Sequence, residues 1–332
     1  MSTFPPPWPA NESGQATEPD LETEPSGFVV IVEPGDRIHF LDWGGPATSD
    51  QPAVVLIHGL STNAWLWAPV ARRLTRRVRT VAVDLRGHGL SDAPTSGYDL
   101  DTLASDLEAV ADGAGMLRGG YVVAGHGFGA CVAAAVAARN GDACRGLVLV
   151  DGGWDNVGQT ANIDIDEFLR TLDEPPEVLR SIDAFLADRR GFDPATWDAD
   201  QDRAARATVV ETAAGKVVPA TRPHVVEAIV RTMFDYRPVD VLSRIGVPMV
   251  ALAAADDEEG GRTKALARVQ SAREAAGLPA IVVERFPGDA HNLMRYRPRE
   301  VTAAILGLVS GEAVAVAATS GRPGGKADSL RQ

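Results

Sequence analysis

Five short segments of this 332-residue chain carry side chains that could do chemistry, and each follows an apolar run that reads as a strand. After residues 54–57 comes His58-Gly59-Leu60-Ser61, and after 80–83 comes Asp84-Leu85-Arg86-Gly87-His88-Gly89-Leu90-Ser91-Asp92. After 121–124 comes Gly125-His126-Gly127-Phe128-Gly129. Asp256-Asp257 follows 249–255, and His291-Asn292 follows 280–290. Ligands of open α/β sheets meet the carboxyl ends of the strands, so these are the positions to read. His291, behind Gly288-Asp289-Ala290, sits in a loop and not on an apolar face, which favours a functional role. A histidine with nearby carboxylates suits general acid–base work. The six histidines and two cysteines have no metal-ligand spacing, so neither a metal nor a cofactor is expected.

The elements that must position these segments repeat in order. A hairpin over 28–33 and 37–43 precedes apolar strands at 54–58, 80–84, 121–125 and 146–151, with helices predicted over 64–77, 100–113 and 128–139 between them. Strands alternating with helices imply an α/β fold, a mostly parallel central sheet flanked by helices. The alternation breaks over 155–238, where only helical patterns are expected, at 164–172, 176–189, 194–213 and 223–234. It resumes with strands at 247–255 and 280–286 and helices over 263–276 and 298–309. The expected organisation is a core of 28–154 and 239–310, an inserted segment 155–238, and loose ends at 1–27 and 311–332.

Charge and composition exclude several classes. Acidic residues outnumber Lys and Arg by 45 to 32, which disfavours nucleic acid and acidic membranes as partners. Five of the thirteen net negatives lie in the proline-rich first 27 residues, which lack the charge and apolar core of a signal peptide, so the remaining excess of about −8 says little about a ligand. Twenty uncharged residues between Arg118 and Arg139 approach the length of a membrane helix, but their five glycines and a histidine favour a buried strand, a tight turn and a buried helix. Two cysteines, Cys131 and Cys144, make no disulfide framework, and a cytoplasmic protein is expected. Nothing in the pattern specifies an oligomer.

In this order and spacing the segments resemble the alpha/beta-hydrolase family over about residues 28–309, where the insertion is a helical cap over the active site. The resemblance implies a nucleophile elbow, G-x-S-x-G, with a histidine base, an orienting acid and backbone N–H groups for the oxyanion. Position by position the elbow is Gly125-His126-Gly127-Phe128-Gly129, and its nucleophile position is Gly127. His291 matches the base and Asp256 the acid, with Asp257 an alternative; some relatives place the acid at the position of Asp151. The N–H groups of Leu60 and Phe128 match the oxyanion hole.

Without a hydroxyl at Gly127 three readings stand. His291 activates water or acts as a base on a small ester, lactone or amide-like molecule; the protein binds such a molecule without turnover; or a serine hydrolase has had its nucleophile replaced. A minor alternative is a dinucleotide site, because Gly125 to Ala130 fits G-x-G-x-x-[GA] and Asp151 follows 26 residues after Gly125. It leaves the 84–92 segment, the insertion and the Asp256/His291 pair unexplained. His58, Ser61, Trp65 and Trp154 are expected to line the pocket, which is expected to be apolar. Asp84, Arg86 and His88 are expected to organise a turn, His126 to be a satisfied core histidine, and Asp151, as its plainer reading, to cap the Gly152-Gly153 turn.

Overall fold

Apolar runs of four to seven residues, too short for helices, form the strands at the centre of the molecule. The computed structural model describes residues 23–46, 51–192, 194–254 and 260–311. Its main sheet joins β1 (Ser26–Val32), β2 (Asp36–Gly44), β3 (Ala53–Ile57), β4 (Thr80–Val83), β5 (Tyr121–His126), β6 (Cys144–Val150), β9 (Met249–Ala254) and β10 (Val282–Phe286). Their order is β1-β2-β4-β3-β5-β6-β9-β10. β2 pairs antiparallel with both neighbours, while the six strands from β4 to β10 are mutually parallel. From β3 the chain steps one way to β4 and then the other way to β5, so the crevice at the end of β3 is the switch point where such sheets bind ligands.

Both faces of the sheet are covered, which is why its parallel strands are apolar without alternation. Val55 and Ile57 of β3 enter one core cluster and Val54 and Leu56 the other, as period-two geometry requires. The first cluster takes in α2 (Leu100–Gly113) and α3 (Phe128–Arg139); the second takes in α1 (Ala68–Leu74) and α12 (Pro298–Ser310). α10 (Gly261–Ala275) and the short α11 (Leu293–Tyr296) complete the C-terminal half. The long uncharged stretch divides into β5, a turn at Gly127 and α3, and no described helix is long and apolar enough to cross a membrane.

Between β6 and β9 lie α4 (Val157–Ala161), α5 (Ile165–Thr171), α6 (Ile182–Phe192), α7 (Ala199–Arg206), β7 (Val209–Glu211), β8 (Val217–Pro219), α8 (Pro223–Asp235) and α9 (Pro238–Leu242). The insertion is therefore not wholly helical. The helix expected over 194–213 ends at Arg206, and β7 and β8 form an antiparallel hairpin. Val209 and Val217 of that hairpin pack on Phe185 and Leu186 in a cluster belonging to the cap alone.

Two boundaries also differ from expectation. The helix expected over 64–77 begins as a 3-10 turn, Ala64–Trp67, and α1 starts one residue before Pro69, whose fixed φ suits a first helical turn. The N-terminal arm does not run to residue 27: β1 opens at Ser26, and Glu24 pairs with Arg72 and Arg203.

Candidate active site

The turn from β5 into α3 is compressed to the limit that glycine allows. An added Cβ on Gly125 would lie 2.1 Å from the Gly129 carbonyl oxygen, and one on Gly129 would lie 2.3 Å from that of His58. Gly127 at the apex has φ 54° and ψ −119°, a conformation that costs a residue with a Cβ on the order of 1–3 kcal/mol. The backbone is thus that of a sharp elbow, with a glycine where a side chain would project. Phe128 opens α3, so its N–H has no acceptor one turn back in the helix.

His291, in the loop after β10, reaches this apex. Its Nε2 lies 3.1 Å from the position a Cβ of Gly127 would take. Its Nδ1–H donates to Oδ2 of Asp151 at 2.6 Å, which leaves the Nε2 lone pair toward the elbow. Asp151 directly follows β6 with φ 45°, and its other oxygen accepts from the Ala254 N–H at 3.0 Å and Nη1 of Arg262 at 2.8 Å. Burial raises the pKa of this carboxyl, but the hydrogen bond from His291 and the charge of Arg262 outweigh it and bring it down to about 2. Asp151 is therefore the carboxylate beside His291 and not a cap of the glycine turn. Asp256 and Asp257 lie outside the described residues.

His126, one residue before the apex, is 2% exposed, and its ring centroid lies 4.2 Å from that of His291. Its Nε2–H donates to the His291 carbonyl at 3.1 Å, while its buried Nδ1 has no partner among the described residues. Half of the expected satisfied histidine is thus unsatisfied. Burial, and then the neighbouring His291, push its pKa well below the ordinary histidine value, so it is neutral.

A second pair of histidines fixes the loop after β3. The Nδ1–H of His58 donates to the Gly59 carbonyl at 2.7 Å, and its Nε2 accepts from the Leu85 N–H at 3.0 Å. His88 accepts from the Ser61 N–H at 3.1 Å and donates to the Arg86 carbonyl at 3.1 Å. Both rings are neutral, burial lowering the pKa of each, to about 3 for His88. Leu60 is held between them, with Ser61 at φ 56°. Asp84 accepts from the N–H groups of Ala64 and Leu90 and from His39, while Arg86 is buried against Asp106 and Asp36. The 84–92 segment is thus a scaffold for the loop, as its turn chemistry predicts.

A cavity of about 1090 Å³ opens between this loop and the cap. Ser61, Thr62, His291 and Asn292 line its core side, and Phe185 and Trp197 line it from the cap. Three of the expected lining residues are elsewhere. His58 is fully buried beneath the loop; Trp154 is 1% exposed in the core; Trp65 packs edge-on against Trp43 with Arg203 over its ring. The lining is mainly apolar, as expected, with Arg189, Arg295, Glu174 and Glu227 among its charged exceptions. Spacing gave no sign of Trp197 or Phe185; only their place in the insertion pointed to them. The dinucleotide reading fails because the Asp151 carboxylate is already engaged by His291, Arg262 and a backbone N–H. Among the described residues no three His, Cys, Asp or Glu side chains converge to hold a metal.

Known proteins are similar to this chain to differing extents. The N-formylmaleamate deformylase of Pseudomonas putida is 31% identical over 210 residues, covering 62% of this chain and 69% of the relative. The 2-(acetamidomethylene)succinate hydrolase of Mesorhizobium japonicum is 31% identical over 139 residues, 42% of this chain and 49% of the relative, so that match spans about half the relative's length. A crystal structure of E-2-(acetamidomethylene)succinate hydrolase superposes with a TM-score of 0.70 at 22% identity, over 86% of this chain and 99% of that one, a likeness of fold. A sequence model of the alpha/beta hydrolase family matches residues 54–305, the span that holds the switch-point crevice, the elbow, the cap and His291. The chain belongs to the alpha/beta hydrolase family.

Proposed function

We propose that the protein hydrolyses a small acyl compound, an ester, lactone or amide, with His291 and Asp151 activating water directly. The observation that carries this reading is the aim of His291: one ring nitrogen is held by Asp151, and the other faces the apex that Gly127 leaves without a side chain. A water on that side would give its proton to Nε2 as its oxygen attacks the acyl carbon. The N–H groups of Leu60 and Phe128 would hold the resulting oxyanion, and the protonated His291 would return the proton to the leaving group. Relatives named as hydrolases and a deformylase support this chemistry and not a redox one. The buried free thiols of Cys131 and Cys144 suit a reducing, cytoplasmic compartment, with no part in the reaction.

A second reading, binding without turnover, draws on one distance. The 3.1 Å between Nε2 and the Gly127 Cβ position is closer than side chains ordinarily pack, so the ring already occupies part of the space an attacking group needs. An acyl-ester and acyl-amide panel separates the two. Turnover that falls by about 10²–10⁴-fold in His291→Ala is the expected result for general-base hydrolysis. Compounds that raise the Tm of an inert wild type would favour binding, and turnover indifferent to His291 would remove the proposed mechanism.

A further inference from the structure

Behind the base lies a chain of charges longer than hydrolysis by a histidine and an acid requires. Arg262 of α10 donates to Oδ1 of Asp151 through Nη1 at 2.8 Å and faces Oδ2 of Asp155 through Nε at 3.3 Å. Its guanidinium lies over the Trp154 ring, 4.9 Å from the centroid. Asp155 also accepts from Thr160 Oγ1 at 3.1 Å, and burial pushes its pKa up. One arginine is therefore clamped between two largely buried carboxylates, and only one of them touches His291.

We propose that Arg262 is a positioning residue for the base: clamped by Asp155, it fixes the Asp151 carboxylate with Oδ2 toward His291 and draws part of that carboxylate's charge away from the imidazole. The proposal rests on His291 and Asp151 being the base and acid described above. Its physical content is a balance. A carboxylate against Nδ1 favours the imidazolium, and a base must be deprotonated to accept a proton. Arg262 offsets the charge of Asp151 on the side away from His291, while Asp155, farther off, moderates the arginine. Removing the arginine and removing its counter-charge should thus move His291 in opposite directions.

Four other ionisable groups packed near the pair do not alter the sign. His126 from β5 is neutral, and so is His58 behind it. Cys131 on α3 is kept as a thiol, its pKa raised by burial and then by Asp155. The Tyr236 hydroxyl donates to the Gly153 carbonyl at 2.8 Å and stays protonated.

The test follows the His291 ring resonances by NMR across pH in the full chain, beside the acid limb of the pH–rate profile. In Arg262→Met the pH of half-protonation should lie above that of wild type, because the positive charge on the far side of Asp151 is gone. In Asp155→Asn it should fall, and Arg262→Lys should return it toward wild type. A merely structural arginine would lower Tm in all the variants while the midpoints stayed together or moved one way, and that result would overturn the proposal. If Arg262→Met does not fold, Asp155→Asn alone decides, since an unmoved or raised midpoint contradicts the proposal. Because the resonances need no turnover, opposed shifts in an inert protein would uphold the clamp and remove the hydrolase reading. Turnover dependent on His291 without opposed shifts would do the reverse.

Discussion

Gly127 combines a backbone conformation that strains any residue with a Cβ with the absence of a hydroxyl, and substitution there separates the two. With φ at 54° and a Cβ position 3.1 Å from Nε2 of His291, Gly127→Ser must accept backbone strain and move the ring by a few tenths of an ångström. The expected cost is about 1–3 kcal/mol of stability, read from urea unfolding. The serine should also bring a covalent acyl adduct on that residue, visible by intact mass and lost when His291→Ala is added. Asp151 makes a different prediction, one of pH. Its pKa is lowered from an ordinary 3.8 to about 2, so its contribution is present above the unfolded value and fades as pH falls from about 4 to about 2. A shift of that size corresponds to about 2 kcal/mol, so Asp151→Asn should be less stable than wild type by that order at pH 7, with the gap narrowing toward pH 2. Denaturant melts across pH would measure it. On the family pattern the sequence favours Asp256 over Asp151, and Asp256 lies outside the described residues. The contact of Asp151 with His291 joins residues 140 apart, which no local pattern encodes.

At the scale of elements, cap helix α7 supplies part of the cavity wall through Gln201, Ala204 and Ala205, and a compact set of bonds fastens it to the core. Asn63 donates to the Ala204 carbonyl at 2.9 Å. Arg72, buried on α1, holds both Asp200 of the cap and Glu24 at the root of the N-terminal arm, and Glu24 also pairs with Arg203 at 2.5 Å. Removing Asp200 leaves the buried Arg72 charge with Glu24 as its one carboxylate partner among the described residues, and takes away the pair that ties α7 to α1. Asp200→Asn should therefore speed hydrogen exchange in α7 well before that of β5 and β6 changes, and unaltered protection in α7 would show that the cap is held by packing alone. The sheet strands were legible because each is an apolar run bounded by turn residues. The β7–β8 hairpin was not: its strands are three residues each, too short to display a period. Trp154 and Trp65 show the matching error for side chains, because a tryptophan after a strand end serves a core as well as it serves a pocket.

For the whole molecule, the switch-point sheet brings four distant pieces of chain to one crevice: the loop held by His58 and His88, the Gly127 elbow, Asp151 and His291. The order of these pieces was readable from their motifs, whereas the individual cap residues that line the cavity were not, because they carry no motif of their own. Central to the proposed function is hydrolysis by an activated water without an acyl-enzyme. Rapid-mixing kinetics on a chromogenic acyl substrate tests it most directly, comparing wild type with His291→Ala. The expected result is product release that is linear from the first turnover in wild type, without a burst, and slower by about 10²–10⁴-fold in the variant. A burst matching the enzyme concentration, or a rate that His291→Ala leaves unchanged, would contradict it.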